Sequence, residues 1–122
     1  MEHGRIKIRP LWGMHDQTFI DGKKIWFVQR LIEKTKDLEV QTMPLSALNI
    51  YNLYPIIESM NDFVCHIQKV NDANLKYPII LDQDGYVMDG RHRIAKAILN
   101  GETEIKYVRF DETPPPDKYK EE

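Results

Sequence analysis

Residues 86–101 have the sequence YVMDGRHRIAKAILNG, which combines turn and helix signals within one short stretch. A short apolar run ends at Asp89-Gly90, and a basic cluster follows. Apolar side chains then recur at the spacing of one helix face. Asn100-Gly101 ends the pattern with a glycine suited to a left-handed helix C-terminus. The sequence therefore predicts a strand over 86–88, a tight turn at Gly90 and a helix that starts at the basic cluster.

Three basic side chains, Arg91, His92 and Arg93, stand where this helix begins. Positive charge is unfavourable there because the helix dipole is already positive at its N-terminus. Gly90 lets the backbone approach a ligand closely, arginine forks onto phosphate oxygens, and His92 can donate from either ring nitrogen. The cluster therefore predicts a cradle for an anion, with phosphate the best candidate.

Asp89, directly before the turn, has three possible roles. It could hold a Mg²⁺ ion carried by the phosphate, orient an arginine, or cap the helix. The whole cluster also has an ordinary interpretation, in which a common Asp-Gly turn precedes basic residues that are solvated or ion-paired. The spacing alone leaves both interpretations open.

The rest of the chain alternates short strands and helices. The pattern predicts strands over 5–9, 38–43, 77–81 and 105–110, helices over 24–36 and 55–70, and a hairpin at 82–85. Residues 111–122 are rich in proline and charge, which predicts a tail without a core of its own. The order of elements predicts an α+β fold, a single domain with one small mixed sheet flanked by helices.

Composition limits the class of protein. The chain has 122 residues, enough for one domain, and a formal net charge of −2, which argues against a surface devoted to nucleic acid but leaves room for a local basic pocket. Cys65 is the single cysteine, so no intrachain disulfide can form. The chain lacks both an apolar run of membrane-spanning length and an N-terminal signal sequence, so we expect a cytoplasmic protein with no membrane contact.

Residues 38–110 resemble the superfamily that joins ParB partition proteins and sulfiredoxins. A strand leads into PLSAL at 44–48, a helix follows, and YPIIL at 77–81 is similar to the family's next strand. The hairpin DQDGY then leads into VMDGRHRIAKA, which is similar to the Gly-Glu-Arg-Arg motif of ParB and the Gly-Gly-Cys-His-Arg motif of sulfiredoxins. The resemblance implies a stand-alone ParB/sulfiredoxin-like core, preceded by an N-terminal strand and helix extension over 1–37 and followed by the tail.

The resemblance implies a nucleotide-phosphate site. ParB proteins bind and hydrolyse CTP, sulfiredoxins use ATP, and a related branch phosphorylates free serine, so ATP or CTP with Mg²⁺ is the implied ligand. Gly90, His92 and Arg93 match the phosphate-binding positions, and we include Arg91 with them. Arg91 stands where sulfiredoxins carry their catalytic cysteine. Sulfinic acid reduction is therefore not expected, because that chemistry needs a sulfur nucleophile.

Catalysis and base binding have weaker candidates. The resemblance implies that the serine-phosphorylating branch uses an acidic base in the loop after the first family strand. The corresponding loop of this chain, at 49–54, has no carboxylate. Asp89 and Glu58 are the candidate catalytic carboxylates, although Glu58 equally fits an ordinary helix surface. Tyr51 and Tyr54 are candidates for stacking a nucleobase. The chain is thus a possible nucleotide triphosphatase or phosphotransferase. The alternatives are a DNA-associated or protein-binding accessory factor of plasmid or phage type, or a ParB-like nuclease.

Overall fold

Seven strands and three α-helices make up the parts of the chain that the computed structural model describes, which are residues 4–10, 18–53 and 57–121. In chain order they are β1 (Thr18–Asp21), β2 (Lys24–Phe27), α1 (Val28–Lys34), β3 (Gln41–Pro44), α2 (Met60–Asp72), β4 (Ile79–Leu81), β5 (Val87–Asp89), α3 (Arg91–Leu99), β6 (Glu104–Arg109) and β7 (Lys118–Tyr119). Two short 3-10 turns, Leu45–Ala47 and Ile50–Asn52, lie between β3 and α2. The α+β class expected from the sequence is confirmed.

A four-stranded mixed sheet has the order β3-β6-β4-β5. Strand β4 pairs in parallel with β6 and in antiparallel fashion with β5. The connection from β4 to β5 is the predicted hairpin, in which Asp82 Oδ1 accepts the backbone N–H groups of Asp84 and Tyr86 at 2.9 Å each. This short-range bonding explains why the turn could be identified from sequence.

A second sheet, antiparallel and ordered β1-β2-β7, corrects one prediction. Residues 24–27 were predicted as helix but form β2, because β1 pairs along one edge and β7 along the other. The helix starts only at Val28.

Residues 5–9, predicted as a strand, are irregular in the structure. The Asn61 side chain bonds both backbone groups of Arg9 there: its oxygen accepts the Arg9 N–H at 2.8 Å, and its amide donates to the Arg9 carbonyl at 3.0 Å.

The proline-rich tail, which the sequence predicts to have no core of its own, packs on the second sheet. The Trp26 indole Nε1–H donates to the carbonyl of Pro114 at 2.8 Å, and β7 completes the sheet. Trp26 is 4% exposed as a result. The tail is therefore part of the wall around one half of the core.

The core forms two clusters on opposite faces of the mixed sheet. Strand β4 contributes to both, because its side chains alternate between faces. Ile80 packs with Trp26, Leu31, Met88, Val108 and Phe110, whereas Ile79 and Leu81 pack with Ile94, Ala97 and Ile105. The mixed sheet is thus the middle layer, with α3 on one side and the small sheet with α1 on the other.

Helix α2 lies beside α3 and starts later than predicted. Its N-cap is Ser59, whose hydroxyl accepts the Asp62 N–H at 3.1 Å. Pro55, where the sequence placed the start, lies outside the described residues. Among the described residues, no helix has the length and apolar character needed to cross a bilayer.

Candidate functional site

A cavity of about 380 Å³ opens at the N-terminus of α3. Its walls come from β1, the start of α1, the last turn of α2, the end of β5 and the first turn of α3. Gly90 forms part of the wall. Its ionisable lining residues are Lys69, Asp72, Asp89, Arg91, His92 and Arg93. All four members of the predicted phosphate cradle therefore lie on one concave surface.

Gly90 lines the cavity in a backbone conformation that favours glycine. Its φ of 115° lies in a region that side-chain-bearing residues rarely adopt, and it is the N-cap residue of α3. A Cβ at this position would overlap the Ile79 side chain and come within 3.2 Å of the Ile79 Cα. No side chain caps the helix, so Asp89 does not act as the N-cap.

Asp89 instead orients an arginine, the second of the three roles considered for it. Its Oδ2 accepts from Arg93 Nη2 at 3.1 Å, and Arg93 Nη1 donates to the carbonyl of Pro78 at 2.6 Å. The two side chains are 19% and 20% exposed. Arg93 thereby ties α3 to the start of β4, and its guanidinium is fixed at the cavity wall before any ligand arrives. These two bonds occupy two of its five N–H donors.

His92 is held by a second histidine. His92 Nε2 lies 2.8 Å from Nδ1 of His66, a buried residue of α2. Burial, followed by the charges of His66, Lys69, Arg91 and Arg93, lowers the pKa of His92 to about 4. His92 is therefore neutral at pH 7 in the protein alone, and it faces the cavity as a hydrogen-bonding group without charge.

This lowered pKa predicts a pH dependence of stability. Between pH 6.5 and about 4 the unfolded chain binds a proton on His92 and the folded chain does not. The free energy of unfolding is therefore expected to fall as the pH drops through that window, by about 1–2 kcal/mol because partial exposure weakens the effect. Urea unfolding of wild type and His92→Gln at pH 7 and pH 4.5 measures this. An equal loss of stability in both proteins would contradict the assignment.

The last turn of α2 supplies the part of the cavity that sequence analysis missed. Lys69 and Asp72 line it, and burial lowers the pKa of Lys69. Lys96 of α3 fixes this turn in place, because its Nζ donates to the carbonyls of Asn71 and Ala73 at 2.7 Å each. The sequence carries one weak signal for this arrangement, which is that Lys69 and Asp72 lie three residues apart and so share a helix face.

Two other candidates lie away from the cavity. Tyr51 is 91% exposed on the second 3-10 turn and does not line it. Glu58 precedes the N-terminus of α2, whereas the cavity lies at the other end of that helix, about 20 Å away for a helix of this length. The structure thus does not bring these two residues to the cradle. Tyr54 lies outside the described residues.

Thiol chemistry would need Cys65, and metal chemistry would need a group of side chains that can bind a metal ion. The Cys65 thiol is buried and donates to the carbonyl of Arg9 at 3.0 Å, away from the cavity. Within residues 4–10, 18–53 and 57–121, no group of three or more His, Cys, Asp or Glu side chains could hold a metal ion. A divalent cation here would need ligands from a bound molecule as well as from the protein.

Comparison of the chain with protein-family models, with curated proteins and with solved structures finds no match in any of the three. The support for a function therefore comes from the cavity itself and from the motif around Arg91.

Proposed function

We propose that the chain is a ParB/sulfiredoxin-like domain that binds the phosphates of a nucleotide in the cavity at the N-terminus of α3. One observation carries the proposal: Lys69, Arg91 and Arg93 converge on a cavity that a helix N-terminus also lines. Basic side chains and helix N-termini both attract anions, and both are recurrent parts of phosphate sites.

The charge balance of the cavity supports an anionic ligand. Two arginines and Lys69 face two carboxylates, and one of these, Asp89, is already paired with Arg93. The neutral state of His92 adds a hydrogen-bonding group without adding repulsion between cations. The volume of about 380 Å³ lies at the lower end of the range of ligand pockets, roughly 300–1,000 Å³. A di- or triphosphate group fits this combination of size and charge.

Magnesium fits the site only as a companion of the nucleotide. Mg²⁺ is usually held by one or two carboxylates together with phosphate oxygens and water. Asp72 and Asp89 are the carboxylates available at the cavity, and Asp89 would have to share its charge between the ion and Arg93. The ion would neutralise phosphate charge. Phosphoryl transfer depends mainly on positioning and charge neutralisation, so a nucleotide triphosphatase or phosphotransferase activity is part of the proposal.

Nucleotide binding is expected to raise thermal stability. A ligand that binds only the folded state adds about 2.7 kcal/mol at one hundred times its Kd. The measurement is thermal unfolding with ATP, CTP, GTP, ADP and inorganic pyrophosphate, each with and without Mg²⁺. Arg91→Ala is expected to weaken binding at least tenfold, because it removes a charge-assisted hydrogen-bond donor.

Circular dichroism of Arg91→Ala checks that the variant is folded in this test. Arg93 bonds Pro78 and Asp89, so its loss would disturb the fold as well as the ligand. Lys106→Ala, at an exposed position of β6, removes the same charge from the same chain and is expected to bind like wild type. If no nucleotide stabilises the folded wild type, the proposal is wrong.

One observation favours a second candidate, a protein-binding accessory factor. Met60, Phe63 and Ile67 on α2 are 71%, 45% and 44% exposed, and their spacing places them on one helix face. Apolar side chains exposed together mark many protein interaction surfaces. A Phe63→Glu variant that keeps nucleotide binding but loses a partner would show that both functions coexist.

A further inference from the structure

His66 and His92 meet tip to tip across the interface between α2 and α3. Their rings are within 18° of parallel, and their centroids are 5.0 Å apart. That separation is close to the 2.8 Å between His66 Nδ1 and His92 Nε2 plus the two ring radii. The rings therefore lie nearly in one plane and share an in-line hydrogen bond; they are not stacked face to face.

The bond has one proton and two possible directions. If His92 Nε2–H donates, the neutral His92 ring carries no proton on Nδ1, which can then only accept. If His66 Nδ1–H donates, the His92 proton lies on Nδ1, which can then donate. Because Nε2 is occupied by His66, Nδ1 is the nitrogen that remains for a ligand. Within the described part of the chain, the bond to His66 is the one hydrogen bond that the His92 side chain makes.

We propose that His66 is a positioning residue of the phosphate site, which fixes the His92 ring and donates to its Nε2 so that Nδ1–H points a proton at the bound phosphate. This inference rests on the proposed function, since it assumes that the cavity takes an anion. An oxyanion has only acceptor atoms, so it selects the direction of the bond in which His92 donates. The ligand thereby sets the protonation pattern of a residue, His66, that it does not touch.

The surroundings favour a neutral His92, which accepts from His66 and donates to the phosphate, over a protonated His92. Lys69 of α2 and Arg91 and Arg93 of α3 line the same cavity as His92, and their charges disfavour a further positive charge on its ring. Asp72 and Asp89 line the same cavity, but Asp89 is committed to Arg93. A buried imidazole at position 66 is also costly unless it is hydrogen-bonded. An apolar residue would fill the same space, so the polar one indicates a hydrogen-bonding role.

The test uses the full chain and inorganic pyrophosphate. Long-range ¹H–¹⁵N NMR spectra of the histidine rings at pH 7 are expected to place the His92 proton on Nδ1 and the His66 proton on Nδ1 in the complex. In titration calorimetry, His66→Leu is expected to weaken pyrophosphate binding about tenfold, the size of one lost positioning hydrogen bond. His66→Asn, whose amide N–H can replace Nδ1–H, is expected to stay within about threefold of wild type.

The outcomes separate the two proposals. If pyrophosphate binds and the complex carries the His92 proton on Nε2, or if His66→Leu binds like wild type, the role of His66 is wrong and the phosphate site stands. If pyrophosphate, ATP and CTP all fail to bind the folded wild type, both proposals are wrong. Circular dichroism checks that His66→Leu is folded. If it is not, the wild-type spectra and His66→Asn still decide.

Discussion

Replacing Gly90 by alanine is expected to lower the free energy of unfolding by about 4 kcal/mol. The φ of 115° costs a residue with a Cβ roughly 1–3 kcal/mol. The added methyl would also overlap Ile79, a side chain that is fully buried in the core between β4 and α3. Overpacking of a rigid site adds roughly another 1–3 kcal/mol. Because the obstacle includes the Ile79 Cα at 3.2 Å, rotation of a side chain cannot relieve it.

Gly101→Ala is the matched control at the other end of the same helix. Its φ of 73° is also positive, but a Cβ there meets nothing within 4 Å, so its cost is about 1 kcal/mol. Urea unfolding of both variants and wild type compares their free energies of unfolding. In thermal unfolding, a fall in Tm of about 15 °C is expected for Gly90→Ala. Equal destabilisation by the two substitutions would show that the close approach to Ile79 has no energetic consequence.

The stretch that was predictable is the one whose structure depends on near neighbours. The hairpin at 82–85, strand β5, the turn at Gly90 and the helix to Leu99 are set by bonds over a few residues, such as those that Asp82 makes to Asp84 and Tyr86. Patterns of turn residues and helical spacing describe such bonds directly. The same local pattern pointed to Gly90, Arg91, His92 and Arg93, which line one cavity and form the proposed phosphate cradle.

The other half of the cavity depends on contacts that no local pattern contains. His66 and His92 are 26 residues apart, and Lys96 holds the end of α2 from 25 residues away. Sequence patterning placed His66 in a helix but gave no sign that it would face His92. The same holds for Lys69 and Asp72, which would pass for ordinary helix surface without the position of α3.

The second sheet was mispredicted for a related reason. The apolar spacing of residues 24–36 suits one continuous helix, yet residues 24–27 pair with β1 and β7 as a strand. Strand formation at such a site is decided by neighbouring strands, and β7 lies in the tail. The proline-rich composition of the tail predicted only that it has no core of its own, because composition does not record that Pro114 accepts a hydrogen bond from Trp26.

Replacing Asp117 by alanine is accordingly expected to lower the free energy of unfolding by about 3 kcal/mol. The Asp117 side chain is 5% exposed. Its Oδ2 accepts the Phe27 N–H at 2.7 Å, at the N-terminus of α1, and its Oδ1 pairs with Arg30 at 3.3 Å. Alanine leaves a part-buried N–H without an acceptor and removes a negative charge from a helix N-terminus. Arg30 is 64% exposed and becomes hydrated in the variant, so loss of its ion pair with Asp117 contributes little.

Asp117→Asn separates the two contributions, because the amide oxygen can still accept the Phe27 N–H while the charge is lost. Its expected cost is about 1 kcal/mol, the typical value of a charge at a helix terminus. Urea unfolding followed by Trp fluorescence suits this comparison, since the Trp26 indole bonds Pro114 and reports release of the tail. If Asp117→Ala unfolds at the same urea concentration as wild type, the Asp117 carboxylate adds nothing to stability. Burial of Trp26 and Leu31 against the mixed sheet, together with the bond from Trp26 to Pro114, would then hold the small sheet in place without the carboxylate.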